Sequence, residues 1–351
     1  MQKGGAPLNI VSLDVHTEAS QLYAVTDEGE IIFETKVPTD PELLRTIIGG
    51  IAGPKRVVFE EGPLSAMLTD ALQGVADEIV SCDATHNALI ARNENSNDKH
   101  DARSLTMLAR VGGLHPVLVP PEPYRTLRSL LVHDQRVQRW ITATKNRIKS
   151  LCRRCGIRYS GADVYRSANR AQVLTQMTEA GLRWQMQSLY RQLDMLRRER
   201  VGAHRMTGRL ARKLPVVRRL QSAPGVGRMT AQTLVAWIVD PARFKSRNAL
   251  SSYAGLGLGQ GWTNWKPVGR ARASKRGQRQ LKRLLFIAAK AAVRGKNALA
   301  RRYAVRLQAG WEHSKAIRDI ARTLLWTLCG MWKHQKEYDD AQVAVPDPPG
   351  A

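Results

Sequence analysis

The sequence predicts a mixed α/β domain over residues 1–120, a long helical segment over 121–212 and an all-helical domain over 213–340, with a disordered tail over 341–351. Three observations lead to this division. Short apolar β-runs alternate with helical stretches as far as Asp83, an order that gives a mixed sheet flanked by helices. Two long stretches, near 122–158 and 180–212, then repeat apolar residues at helical spacing among many arginines. The charge changes sign at the same place. Residues 1–120 carry 9 Lys and Arg against 17 Asp and Glu, while 121–351 carry 46 against 13, within a net charge of +25. An acidic first third and a strongly basic remainder point to a polyanionic partner held by the basic part.

The composition also excludes classes. No apolar run approaches the roughly 18–20 residues of a membrane span, and the start of the chain lacks a basic-then-apolar leader. Cys82, Cys152, Cys155 and Cys329 are too few for a disulfide framework, and the Cys152/Cys155 pair has no second half to complete a zinc site. A reduced, cytoplasmic protein is expected.

In chain order, residues 8–15 read as a buried strand with Asp14 near its end. Residues 20–26 and 30–37 are β-runs joined across Asp27-Glu28-Gly29, a hairpin signal. A helix over about 41–48 precedes a second buried strand, 56–61, which ends in Glu60 and Glu61 before Gly62-Pro63. A helix over 64–74 and a strand over 78–83 follow. The polar run 93–99 then leads into a helix marked by Ala102, Leu105, Met107, Leu108 and Ala109.

Asp14 and Glu60 therefore share an address, the carboxyl ends of buried strands, where open α/β sheets bind ligands. Asp98 and Asp101 stand three apart in the first turn of the next helix and share a face. A first-turn acid pair also suits the helix dipole, so it means little alone. Clustered carboxylates repel, and they are stable together only around a hard cation. An all-oxygen set favours Mg²⁺ or Mn²⁺, and two such ions assist phosphoryl transfer.

The basic part carries two further signals. Between 122 and 158, Leu127, Leu130, Leu131, Val137 and Ile141 mark one apolar side; between 180 and 212, Leu182, Leu189, Leu193 and Leu196 approach heptad spacing. Such helices pack on each other or on a second copy. Pro224-Gly225-Val226-Gly227, followed by Arg228 and a helical pattern, reads as the hairpin of a helix-hairpin-helix. Its glycines let the backbone approach a phosphate at a helix N-terminus. From 257 a glycine-rich flexible loop carries Trp262, Thr263 and Trp265 and leads into Arg270, Arg272, Ser274, Lys275, Arg276 and Arg279. That cluster can neutralise several phosphates, and the tryptophans can stack on bases or anchor the loop. Helices over 276–293, 297–308 and 314–334 complete the pattern.

Asp14, Glu60, Asp98 and Asp101, with the phrases Ser-Leu-Asp-Val-His and Asp-Lys-His-Asp-Ala-Arg, resemble the DEDD set of a RuvC-like domain. This version is similar to the insertion-sequence transposases related to the Piv pilin-gene invertase, a family that includes recombinases guided by a bridge RNA. Residues 215–340, with Phe244 and Tyr253-Ala254-Gly255-Leu256, resemble the family's C-terminal domain. The resemblance implies a RuvC-like N-terminal fold, a coiled-coil linker that supports assembly and RNA binding, a divalent metal at the four acids, DNA as substrate and a catalytic serine in the C-terminal loop. The chain departs from the family at two places. Glu60-Glu61-Gly62-Pro63 stands where Glu-Ala-Thr-Gly is usual, which leaves Glu61 as the alternative to Glu60. Thr263-Asn264 stands where Ser-Gly is usual, which leaves Ser274 as the competing hydroxyl.

The expected function is a DNA transposase or site-specific recombinase that cleaves through a covalent hydroxyl–DNA intermediate, acts as an oligomer and takes an element-encoded RNA as guide. Gly225, Gly227, Arg228, Arg270, Arg272, Lys275, Arg276 and Arg279 would hold nucleic acid. Two rivals are a RuvC-like metal nuclease that uses water, and a non-catalytic nucleic-acid-binding protein.

Overall fold

Residues 8–83, 98–263, 266–273 and 277–347 are described by the computed structural model. The chain divides into two units, Met1–Pro121 and Glu122–Ala351.

In the first unit β1 (Asn9–Val15) pairs antiparallel with β2 (Ala19–Val25), and β2 with β3 (Ile31–Pro38). After α1 (Pro41–Gly49), β4 (Lys55–Glu60) returns parallel to β1. After α2 (Ser65–Leu72), β5 (Glu78–Cys82) lies parallel to β4, so the sheet order is β3-β2-β1-β4-β5. The expected mixed sheet flanked by helices is what forms. Local chemistry sets the turns. Asp40 caps α1 by accepting from the Leu43 amide at 2.8 Å, and Pro41 fits the first helical position. Gly29, at φ +101°, lets the β2–β3 turn reverse, and a Cβ there would meet the Arg110 guanidinium.

Period-two alternation sorts the strands into two faces. Val11, Leu13, Val57 and Phe59 meet Leu44, Ile48, Leu68 and Leu72 of α1 and α2. Ile10, Val58 and Val80 point the other way, onto Leu105 and Ala109 of α3 (Asp98–Arg110). Burying a side chain the size of Phe59 or Leu13 contributes about 1.5–3 kcal/mol, so a one-residue slip of β1 or β4 is strongly disfavoured.

The second unit opens with a pair of long helices, α4 (Tyr124–Arg154) and α6 (Ala180–Arg212), with α5 (Ser167–Thr175) between them in the chain. Val137, Ile141, Ile148 and Leu151 of α4 pack with Met186, Leu189, Tyr190 and Leu193 of α6, together with Val164, Val173 and Met177 from the connection. Cys152 is buried in α4 and Cys155 follows its last turn, both as free thiols. α7 (Pro215–Leu220), α8 (Arg228–Ile238) and α9 (Arg247–Tyr253) form a hairpin assembly. It packs against α10 (Arg279–Ala292), α11 (Ala298–Gln308) and α12 (His313–Lys333) through Leu234, Leu285, Ile320 and Leu324.

Two features differ from the sequence expectation. Part of the region from 257, expected as a flexible loop in an all-helical domain, forms a two-stranded antiparallel ribbon, β6 (Leu258–Thr263) and β7 (Lys266–Ala273). Alternating glycines and single β-formers have too few apolar residues for a strand signal, and only pairing across the turn organises them. The first residues of the expected tail, 341–347, are also held in place. Val343 is buried in the C-terminal core, and Ala344 O accepts from Arg302 at 2.7 Å. The prolines beyond it masked an apolar anchor.

Candidate active site

Asp14 lies one residue past Leu13, and Glu60 one past Phe59; Leu13 and Phe59 are register partners on the adjacent parallel strands β1 and β4. The two acids thus stand side by side at one carboxyl edge. Alternation puts Asp14 with Ile10 and Ser12, and Glu60 with Val58, on the face that α3 covers. Glu61 follows one residue beyond the strand, its amide donating to Cys82 O at 2.8 Å.

α3 is pinned over that face by a buried serine. Ser12 Oγ donates to Ala102 O at 2.7 Å and is hydrogen-bonded to Thr106. At the other end of α3, Arg110 donates to Glu28 O at 3.0 Å in the β2–β3 turn. That turn lies at the start of β1, where Ile10 pairs with Val25. The helix therefore runs antiparallel to β1, and its first turn, with Asp98 and Asp101, arrives at the edge that carries Asp14 and Glu60. Helical register puts position 98 on the stripe of Ala102, Leu105 and Ala109, the stripe facing the sheet. Asp101 is half-buried. Arg103, paired with Glu34 and 5.6 Å from the Tyr23 ring, fixes the same turn from the β2–β3 side.

The donor set fits a hard cation in kind: carboxylate oxygens at one edge and one face. Among the described residues no three His, Cys, Asp or Glu side chains form a metal-holding group. The Asp98 side chain lies outside those described. One neighbour escaped the sequence reading of the acids: His16, two residues after Asp14, has Nε2 3.2 Å from its carboxylate. The period of two along the strand was the signal that could have found it.

In the second unit Thr263 occupies the last paired position of β6, opposite Lys266. Arg270 and Arg272 occupy alternate positions of β7. Arg279 opens α10 and is exposed. Ser274, Lys275 and Arg276, with Asn264 and Trp265, lie outside the described residues.

The two glycines of the hairpin turn have different reasons to be glycine. Gly225, at φ +74°, approaches α10 so closely that a Cβ would stand 2.2 Å from Ala288 O and 2.7 Å from Ala292 N. Its side is filled by the neighbouring helix, so packing, not an open phosphate approach, accounts for that glycine. Gly227 has ordinary φ, and a Cβ there would meet nothing within 4 Å. It is the N-cap of α8 without a side-chain cap, leaving the first amides beside Arg228 without a local side-chain acceptor.

Comparisons with known proteins gave matches to two family models. A family model described as Transposase (DEDD_Tnp_IS110) matches residues 11–156, and one described as Transposase IS116/IS110/IS902 family matches 217–304. A search of curated proteins found no match. No helix among the described residues is long and apolar enough to cross a membrane. The first model covers the carboxylate edge and all of α4, the second the hairpin turn and the ribbon, together about two thirds of the chain, and the chain belongs to the IS110 family of insertion-sequence transposases.

Proposed function

We propose that this transposase cuts and rejoins DNA with a composite centre, four carboxylates from the first unit and a hydroxyl from the second. The observation that carries the reading is the shared edge and face of Asp14 and Glu60 beneath the first turn of α3. Asp14, Glu60, Asp98 and Asp101 would hold Mg²⁺ or Mn²⁺, which supplies charge stabilisation at the scissile phosphate. Glu61 is the alternative to Glu60.

The Thr263 hydroxyl attacks the scissile phosphorus and gives up its proton. The new O–P bond replaces the bond to the 3′ oxygen, which leaves as a hydroxyl after taking a proton. A 3′ hydroxyl from the second strand then attacks the same phosphorus and restores Thr263. Ser274 is the competing nucleophile. Arg270, Arg272, Lys275, Arg276 and Arg279 position the strand by charge, and Gly227 and Arg228 offer amides and a cation to a phosphate. Two half-sites require two centres, so the working form is an oligomer. The guide is a structured RNA encoded beside the protein, and the basic second unit is the part suited to it.

The test is recombination between donor and target plasmids with the flanking RNA supplied or withheld. Activity should require the RNA, Asp98 and Thr263, and should survive Thr263→Ser. Normal recombination by Thr263→Ala removes Thr263 from the scheme, and Ser274→Ala then separates a displaced hydroxyl from a water-using nuclease. Mixing Asp14→Asn with Thr263→Ala subunits should restore activity if the centre is shared between copies.

A further inference from the structure

A cleft of about 470 Å³ opens in the second unit beside α4, the end of α8 and the start of α10. Arg139 of α4, Trp237 of α8, and Arg279, Gln280 and Arg283 of α10 line it. No Asp or Glu is among its described lining residues. None of the three arginines is paired with a carboxylate among the described residues. Two more donors lie in the same wall: the Trp237 Nε1 and Gln280 Nε2 atoms are buried and have no hydrogen-bond partner among the described residues. Buried N–H groups are nearly always satisfied, so a pair left open beside three unpaired cations marks an acceptor that the described residues do not supply.

The surroundings keep these groups in place. The Arg128 guanidinium stacks 4.5 Å from the Trp237 ring centroid and donates to Ala236 O at 2.7 Å, fixing the indole against α4. α10 starts at the cleft, and its N-cap Gln278 makes no side-chain capping bond, so first-turn amides add to the donors. The matching ligand has several acceptor oxygens, negative charge and no need of an acceptor in return. A phosphodiester meets that description, and arginine forks suit its geometry.

We infer that this cleft holds a backbone phosphate of a bound nucleic-acid strand, with Arg139 and Arg283 as ion partners and Trp237 and Gln280 as neutral donors. The inference rests on the nucleic-acid reading above and adds a contact outside the ribbon.

The test uses the full chain and a labelled single-stranded DNA of mixed sequence, with an RNA of the same sequence as a second probe, titrated across salt. Arg139→Gln and Arg283→Gln should each lower the slope of log affinity against log salt by about 0.7. Trp237→Phe and Gln280→Leu should weaken binding by about 3- to 10-fold at unchanged slope, since each removes a neutral hydrogen bond. Arg166→Gln, at an exposed arginine beside Asp163, should change neither. Unchanged slopes in both arginine variants overturn the proposal. It also falls if inorganic phosphate protects the wild type, but not Arg139→Gln, from thermal unfolding while strand slopes stay the same, because the cleft then takes free anion. Recombination is scored in parallel. Active Asp14→Asn and Thr263→Ala proteins overturn the catalytic reading and leave the cleft standing, whereas unchanged slopes with those variants dead overturn the cleft alone.

Discussion

The carboxylate edge and the hydroxyl ribbon are built in opposite ways. Asp14 and Glu60 lie at the carboxyl ends of the two adjacent parallel strands β1 and β4 of a five-stranded sheet, with apolar cores on both faces and α3 tied down by Ser12. Thr263 ends one strand of a two-stranded ribbon, a structure that in isolation is marginal in water. Position is inherited from packing in the first case and from a single antiparallel ladder in the second. On the proposed reading, the carboxylate half is set by the fold, whereas the hydroxyl half is one that a bound strand can help to set.

The comparison breaks or sharpens at four places. The largest effect is expected from the chemistry itself: Asp14→Asn and Thr263→Ala should each lower recombination by about 10³-fold or more while circular dichroism stays native. If Asp14→Asn also loses the fold, the edge is structural before it is catalytic. Next, Gly225→Ala forces a Cβ into the backbone of α10 at a left-handed φ, and should cost about 2–4 kcal/mol in urea unfolding. Gly227→Ala, in open space, should cost under about 1 kcal/mol. Equal losses would erase the distinction between the two glycines. Third, Ser12→Ala removes a buried bond to α3 and should cost about 1–2 kcal/mol, with a cleavage defect larger than its stability defect because the Asp98/Asp101 turn loses its anchor. The smallest effect is in acid. Burial pushes the Asp319 pKa up, but hydrogen bonds and charge from Arg302 and Arg306 outweigh it and hold the group below the ordinary value. A depressed folded pKa contributes stability that is present above the ordinary carboxylate range and lost as pH falls through the lower, folded value. Asp319→Asn should therefore flatten the acid limb of the second unit's unfolding curve, and an unchanged limb would show that the pair adds nothing.

The edge was legible because sheets write their rules at short range. An apolar run ending in an acid gives strand, end and face together, and the acids at 98 and 101 follow a polar run at a recognisable helix start. What stayed hidden needed partners far away in the chain. That β1 and β4 are neighbours, so that Asp14 and Glu60 occupy adjacent positions at one edge, is a matter of sheet order. The reason for Gly225 lies in the backbone of α10, more than sixty residues on. The ribbon escaped because Gly257, Gly259, Gly261 and Gly269 read as loop, and its pairing across Thr263 and Lys266 has no apolar pattern to announce it. The cleft beside Trp237 draws on three helices, each of which looks in isolation like an ordinary basic amphipathic stretch.

The anchor near the end of the second unit bears on when that unit can be finished. Asp340 accepts from the Ala298 amide at 2.6 Å at the start of α11 and pairs with Arg301, Tyr338 donates to the same carboxylate, and Val343 enters the core. These residues leave the ribosome after every helix they fasten. The acidic first unit has all of its described strands by Cys82 and its covering helix by Arg110, and can close while synthesis continues. The C-terminal core of the second unit, by contrast, is complete only once residue 343 has joined it.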